Sequence, residues 1–330
     1  MKKIFAILLV VCMVFALAAC GEKAVEYKLG MGVSLNTNSS KTGTAQVDAC
    51  AAAVVLDPNG KIVACQLDVA QNKMDVTDGA VDTEATFKTK LEKGDDYGMV
   101  AYSDATLEWY QQAAAFEQYA IGKTADEIQN IATTQNGEHT VFADETLYAS
   151  CSIDITEFQA AIVKACNDEQ GVSFTTAEPF TLGLAINSTA AESTAATAEE
   201  DGVVKMYSEF GAAVIGKDGK ILAALTDATQ PQIKINAAGE ITDSIFNGTK
   251  RELKEGYNMV AYSDATLEWY QQAKNFTDYA AGKTAAELRA TETVQDGEHT
   301  VFADETLHAS CSISIQGMID VIAKAADNAA

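Results

Sequence analysis

Met99-Val100-Ala101-Tyr102-Ser103-Asp104-Ala105-Thr106-Leu107-Glu108-Trp109-Tyr110-Gln111-Gln112-Ala113 recurs without a change at Met259 to Ala273, and Gly137 to Leu147 recurs at Gly297 to Leu307. Identity over two such runs at one fixed spacing marks a tandem duplication. Working outward, Phe180-Thr181-Leu182-Gly183-Leu184 echoes Tyr27-Lys28-Leu29-Gly30-Met31. Each copy therefore starts before its low-complexity stretch. Asn187 to Gly202, rich in Ser, Thr, Ala and Glu, is then a loop inside the second copy, matching Asn36 to Thr44 in the first, and not a linker. The copies are placed at 27–174 and 178–330, each about 150 residues, the size of an independent domain.

Within a copy, Val47 to Leu56 and Lys61 to Val69, joined by Asp57-Pro58-Asn59-Gly60, read as a hairpin, and Gly216-Lys217-Asp218-Gly219 repeats the turn. Leu107, Tyr110, Ala114 and Ile121 recur at helical spacing behind a cap at Ser103 or Asp104, with Gly122 at the end. Thr124 with Glu127, and Thr284 with Glu287, form capping boxes for a short second helix. Thr156 with Gln159 opens a third, through Phe158, Ile162 and Val163. The fold class is α+β: an antiparallel sheet packed against helices, twice.

Lys2 and Lys3, the apolar stretch Ile4 to Leu17, and Leu17-Ala18-Ala19-Cys20 look like a lipoprotein signal peptide, 1–19, with its lipobox. Cys20 is the lipidation site, and 20–26 is a short tether. Lipid on Cys20 would hold the chain on the extracytoplasmic face of a bacterial cell membrane, since two acyl chains anchor durably. The first copy is then expected close to the membrane and the second farther out. Loss of Lys2 and Lys3 takes the formal charge from −24 to −26. That acidity excludes nucleic acid as a partner, because like charges repel.

Ala149-Ser150-Cys151-Ser152 and Ala309-Ser310-Cys311-Ser312 lead into an Ala-rich final helix in each copy. With the Gly-Lys-Ile hairpin, this arrangement resembles the FMN-binding domain family of bacterial surface and respiratory flavoproteins. In that family a Ser/Thr-Gly-Ala-Thr segment accepts FMN through a phosphoester, installed by a flavin transferase. The resemblance puts Ser152 and Ser312 at the acceptor position with their hydroxyls kept, and Ser150 and Ser310 where the family has Gly. Thr146 and Thr306 stand where it often has Asp. It implies FMN as cofactor and electron transfer from a membrane quinone oxidoreductase to an extracytoplasmic acceptor. Without covalent attachment, the phosphate would sit near the N-terminus of the final helix. Trp109 and Trp269, with Tyr110 and Tyr270, are candidates to stack on the flavin ring, or else to fill the core. The other reading of the Ser-Cys-Ser segment is a buried strand of small residues. The alternative function is a cofactor-free surface lipoprotein that binds a small ligand or partner.

No Gly-rich phosphate loop, nucleophile elbow or paired metal-ligand spacing occurs, so hydrolase and kinase chemistry have no sequence support. His139 and His299 lack companions for a metal or triad. Asp95-Asp96, Asp144-Glu145 and Asp304-Glu305 read as solvated loop charges. Beyond Cys20, five cysteines remain: Cys50, Cys65, Cys151, Cys166 and Cys311. The hairpin turn sets 50 opposite 67 and 65 opposite 52, making Cys50 and Cys65 diagonal neighbours. Both are missing from the second copy, at Glu209 and Ala224, as a bonded pair would be, yet diagonal spacing is long for a disulfide.

Overall fold

The computed structural model describes residues 23–329, so the expected signal peptide and the expected lipidation site, Cys20, lie outside the described residues. The first copy opens with three long antiparallel strands, β1 (Val25–Asn36), β2 (Thr44–Leu56) and β3 (Ile62–Asp75). Short helices α1 (Lys90–Lys93) and α2 (Met99–Tyr102) precede α3 (Trp109–Ala120) and α4 (Ala125–Gln129). A hairpin of β4 (Thr133–Asn136) and β5 (His139–Phe142) follows, then α5 (Glu145–Ser150), α6 (Thr156–Cys166) and β6 (Val172–Thr176). The second copy repeats the order with β7 (Phe180–Thr189), β8 (Gly202–Lys205), β9 (Tyr207–Gly216), β10 (Ile221–Thr229), β11 (Gln232–Ile235) and β12 (Ile241–Ile245). Its helices are α7 (Lys250–Leu253), α8 (Met259–Tyr262), α9 (Trp269–Ala280) and α10 (Ala285–Arg289), then hairpin β13 (Thr293–Asp296) and β14 (His299–Phe302), α11 (Glu305–Ser310) and α12 (Gln316–Asn328).

The sheets run β3-β2-β1-β6 and β10-β9-β7. In β2, Ala49-Cys50-Ala51-Ala52-Ala53-Val54-Val55-Leu56 is buried on both faces, which explains its unbroken run of small and apolar residues. Alternation along the strand divides them. Cys50, Ala52, Val54 and Leu56 meet Trp109, Phe116, Phe158 and Ile162 of the helices. Ala49, Ala51, Ala53 and Val55 meet Leu182, Leu184, Phe210 and Ala212 of the other copy's sheet. The molecule is thus four layers, helix, sheet, sheet, helix, and the central core belongs to both copies. The copies are one body with a shared core, and the expected pair of independent domains in series gives way to it.

The packing is reciprocal, as in an isologous dimer. Lys164 pairs with Glu252 at 2.7 Å, and its counterpart Lys324 pairs with Glu92, the counterpart of Glu252, at 2.6 Å. Each last helix lies directly on its own sheet because glycine leaves room: a methyl on Gly30 would fall onto the Ala165 carbonyl oxygen, and one on Gly183 onto that of Ala325. The same helices blunt exposed strand edges, Lys164 Nζ donating to Val33 O and Lys324 Nζ to Ile186 O. Two asymmetries break the pattern. β6 adds a fourth strand to the first sheet, along the start of β1. Pro231, which has no N–H to give a ladder, separates β10 from β11, so the far ends of the second copy's strands form a small sheet, β12-β11-β8.

Several local expectations change. A bulge at Val55/Leu56 sets Cys50 opposite Val69 and Cys65 opposite Val54. The two cysteines are then four positions apart along the strands, about 13 Å, beyond disulfide reach, and Cys50 is a free thiol. The long helix starts later than expected. Glu108 caps it and forms a box with Gln111, while Ser103 and Asp104 belong to the preceding loop. Its buried face is Trp109, Gln112, Ala113, Phe116 and Ala120. Both threonine capping boxes are present. Ile155, with no side-chain cap, precedes α6, so Thr156 is its first residue. Among the described residues, no helix is long and apolar enough to cross a membrane.

Candidate functional site

In each copy the repeated Trp-Tyr-Gln-Gln run places one buried glutamine at the centre of a small network. Gln112, 1 % exposed, accepts from the Ser152 N–H at 2.7 Å and from its hydroxyl at 3.2 Å, and donates through Nε2 to Leu107 O at 2.9 Å. Gln272 repeats this with Ser312 and Leu267, at 2.7, 3.2 and 2.8 Å. The hydroxyls at the expected acceptor position are therefore engaged with a core glutamine. Ser150 and Ser310 close their short helices instead, their hydroxyls donating to Leu147 O and Leu307 O. The alternative reading of this segment as a buried strand does not hold, since it is the end of helix α5 followed by an irregular link. Asp144 and Asp304, expected as loose loop charges, are N-caps, each accepting two backbone N–H groups. Trp109 and Trp269 are 2 % and 4 % exposed, which leaves no open ring face for a flavin. Trp109 packs edge-on to Phe158 at 5.8 Å.

A cavity of about 980 Å³ opens in the first copy beside this network. Its floor is the helix-side face of the sheet beyond the reach of the helices, where Asn36, Asp48 and Gln71 lie side by side on β1, β2 and β3, with Cys50 and Val69 in the next row. Its walls are Trp109, the start of α6 at Thr156, Glu157 and Phe158, the turn from Asn136 to Thr140, and Ser103 to Ala105. Ser152 lines it too. Five carboxylates, Asp48, Asp104, Glu138, Asp154 and Glu157, face one lysine, Lys90, and His139. Asp48 Oδ1 and Glu157 Oε2 are buried without any donor, a state that costs about 1–3 kcal/mol for each such group. Burial pushes the Cys50 thiol far above its ordinary range, with Glu157 adding to the effect. Cys50 is a neutral thiol at physiological pH and no nucleophile.

The second copy fills the same place. Tyr207 replaces Asp48, Glu209 replaces Cys50, and Gly317 replaces Glu157. The Glu209 carboxylate lies where a side chain at Gly317 would begin, so a carboxylate reaches this spot from the helix in one copy and from the sheet in the other. Lys250, the counterpart of Lys90, is buried there, 5.0 Å from the Tyr207 ring, 4.9 Å from Tyr257 and 5.3 Å from Trp269. Burial raises the Glu209 carboxyl and lowers the Lys250 ammonium, and each opposes the shift of the other.

The start of the last helix in each copy is a poor seat for an FMN phosphate. At the start of α6 the Thr156 and Thr140 amides already donate to Asp154, at 2.8 and 2.7 Å, and Glu157 stands beside them. At the start of α12 the Glu209 carboxylate is in the way. A dianion bound without a covalent bond would meet carboxylates where it needs bare amides.

No protein-family model matches this sequence. No solved structure matches it either. One curated relative is a chlorophenol reductase of Desulfitobacterium hafniense, 33 % identical over 122 residues. The match covers 31 % of this chain and 37 % of the relative.

Of the residues read from the sequence, Ser152 and Trp109 come together at the cavity, while Ser150 lies outside its lining. Asp48, Lys90 and Glu157 were missed. The signal lay in the duplication itself, because Asp48/Tyr207 and Glu157/Gly317 are places where the copies differ in size and charge at one spot. A second cavity of about 770 Å³ lies at the junction of the copies. Its buried charge, Arg251, is already spent on Asp168. Among the described residues, no group of three or more His, Cys, Asp or Glu side chains is placed to hold a metal.

Proposed function

We propose that this protein is a membrane-anchored extracytoplasmic binding protein that uses no flavin, with one small-molecule site, in the first copy. The observation that carries the reading is the cavity of about 980 Å³ with two donorless carboxylate oxygens. Its volume is in the range of small-molecule sites, and its lining is mostly polar and acidic with one apolar side formed by Val69, Met99, Trp109, Ile153 and Phe158. The second copy then acts as the structural half of the pair, its equivalent space taken by Tyr207, Glu209 and Lys250.

The test is thermal stabilisation of the mature protein across a small-molecule panel, against a variant carrying Asp48→Tyr, Cys50→Glu and Glu157→Gly, the second copy's own residues. Stabilisation of the parent alone is expected. Equal stabilisation of both, or none in either, overturns the reading. Anchoring through Cys20 is part of the proposal, and Cys20→Ala should release the protein from membranes into a soluble fraction.

A second reading, an FMN electron carrier fed by a membrane quinone oxidoreductase, has one observation in its favour, the relative's name as a reductase. It requires covalent attachment at Ser152 or Ser312 by a flavin transferase. Flavin absorption that survives denaturation, and vanishes in Ser152→Ala with Ser312→Ala, would support it. A colourless protein from the native host would sink it.

A further inference from the structure

We infer that the first copy's cavity takes a small organic cation with N–H donors, a primary ammonium or amidinium on a flat apolar body. The inference rests on the cavity being a ligand site. Asp154 is spent on two amides, and Asp104 and Glu138 stand exposed at the rim. The unspent groups are the two in the floor and wall. Asp48 Oδ2 takes Gln46 Nε2 at 2.6 Å, which leaves Oδ1 bare, and Glu157 Oε2 is bare as well. Lys90 is turned toward the rings of Tyr97 and Trp109, 5.0 and 5.5 Å away, and makes no ion pair with either carboxylate. A ligand carrying a positive charge offsets these two carboxylates of the lining, and its N–H groups supply the donors that Asp48 and Glu157 lack once the side chains turn toward it. Anionic ligands, and neutral ones without a donor, leave them unpaired in a low-dielectric pocket. A bare metal ion lacks the ligand set.

Both copies set a lysine ammonium on aromatic faces, Lys90 on Tyr97 and Trp109, and Lys250 on Tyr207, Tyr257 and Trp269. The scaffold thus accommodates an ammonium against aromatic rings. In the first copy, Asp48 stands in place of Tyr207, Lys90 is less buried, and the space is open. Val69, Met99 and Ile153 give the apolar wall for the body of the ligand.

The experiment is calorimetric titration of the mature protein with 2-phenylethylammonium, with benzoate and FMN as anionic controls. One equivalent of the amine should bind per chain. Binding should weaken at least tenfold in Asp48→Asn and in Glu157→Gln, and vanish in the Asp48→Tyr, Cys50→Glu, Glu157→Gly variant. That variant's side chains already coexist in the second copy, and its thermal melt reports whether it is folded. Failure of the amine to bind, or undiminished binding by the triple variant, overturns the inference. Benzoate or FMN binding that the triple variant abolishes also overturns it, while leaving the cavity a ligand site. No binding of any probe, together with no hit in the stabilisation panel, removes both.

Discussion

Arg251→Leu tests whether the two copies share one core. Arg251 holds Asp168 across the junction with bonds of 3.1 and 3.0 Å, and the side chains are 7 % and 9 % exposed. Removing one partner of a buried pair costs about 3–5 kcal/mol because the other charge is stranded. Asp168 keeps the Met31 and Gln170 amides, at 3.1 and 2.9 Å, which places the expected loss at the low end, about 3 kcal/mol. The first copy has Leu91 at the position of Arg251, and the second has Asn328 at that of Asp168. The double variant Arg251→Leu, Asp168→Asn therefore installs the combination already found at the pseudo-symmetric position. Its loss should be about 1 kcal/mol, about 2 kcal/mol less than that of Arg251→Leu alone, because no charge is left stranded. Urea denaturation at constant m measures both, and calorimetry should show a drop of roughly 2 °C for each kcal/mol. Equal losses in the single and double variants would refute the ion-pair reasoning. Two unfolding transitions, only one of them moved, would refute the shared core.

Gly183→Ala should cost at least about 3 kcal/mol, since its methyl meets the Ala325 carbonyl of a helix with nowhere to move; an unchanged urea midpoint would contradict this. Burial raises the Asp68 and Asp227 carboxyls to about 6 and the Glu117 carboxyl to about 7. Between about pH 4.5 and about pH 7 the native state therefore holds protons that the unfolded chain has released, and stability falls as pH rises through that window. Urea midpoints should decline from about pH 5 to about pH 7, and Glu117→Gln, which can still accept the Leu67 amide at 2.7 Å in the parent, should flatten the upper part. Gln112→Ala should cost about 2–3 kcal/mol by stranding the Ser152 amide and hydroxyl, read as a lower melting temperature, with Gln272→Ala matching it.

The duplication, the hairpin, the helix order and the fold class were legible because each is written in local pattern or exact recurrence. The small residues of β2 were legible as a strand, but not what covers its second face: Ala51 and Ala53 look the same to the sequence whether they meet a helix, solvent or another sheet. The bulge beside Leu56 carried no mark, and it moved the register by two residues, enough to separate Cys50 from Cys65. The start of α3 was misplaced because Ser103 and Asp104 are stronger caps by type than Glu108, whose carboxylate also takes the Met99 and Val100 amides of α2. At the candidate site, the serines and tryptophans drew attention through the family resemblance, while the differences between the copies pointed to Asp48 and Glu157.

The most direct test of the account is native mass spectrometry of the protein extracted from its own membranes, followed by peptide mapping. The account predicts lipid on Cys20, unmodified Ser152 and Ser312 peptides, and no more than one non-covalent small molecule per chain. Flavin on either serine, or two equivalents of one ligand per chain, would contradict it.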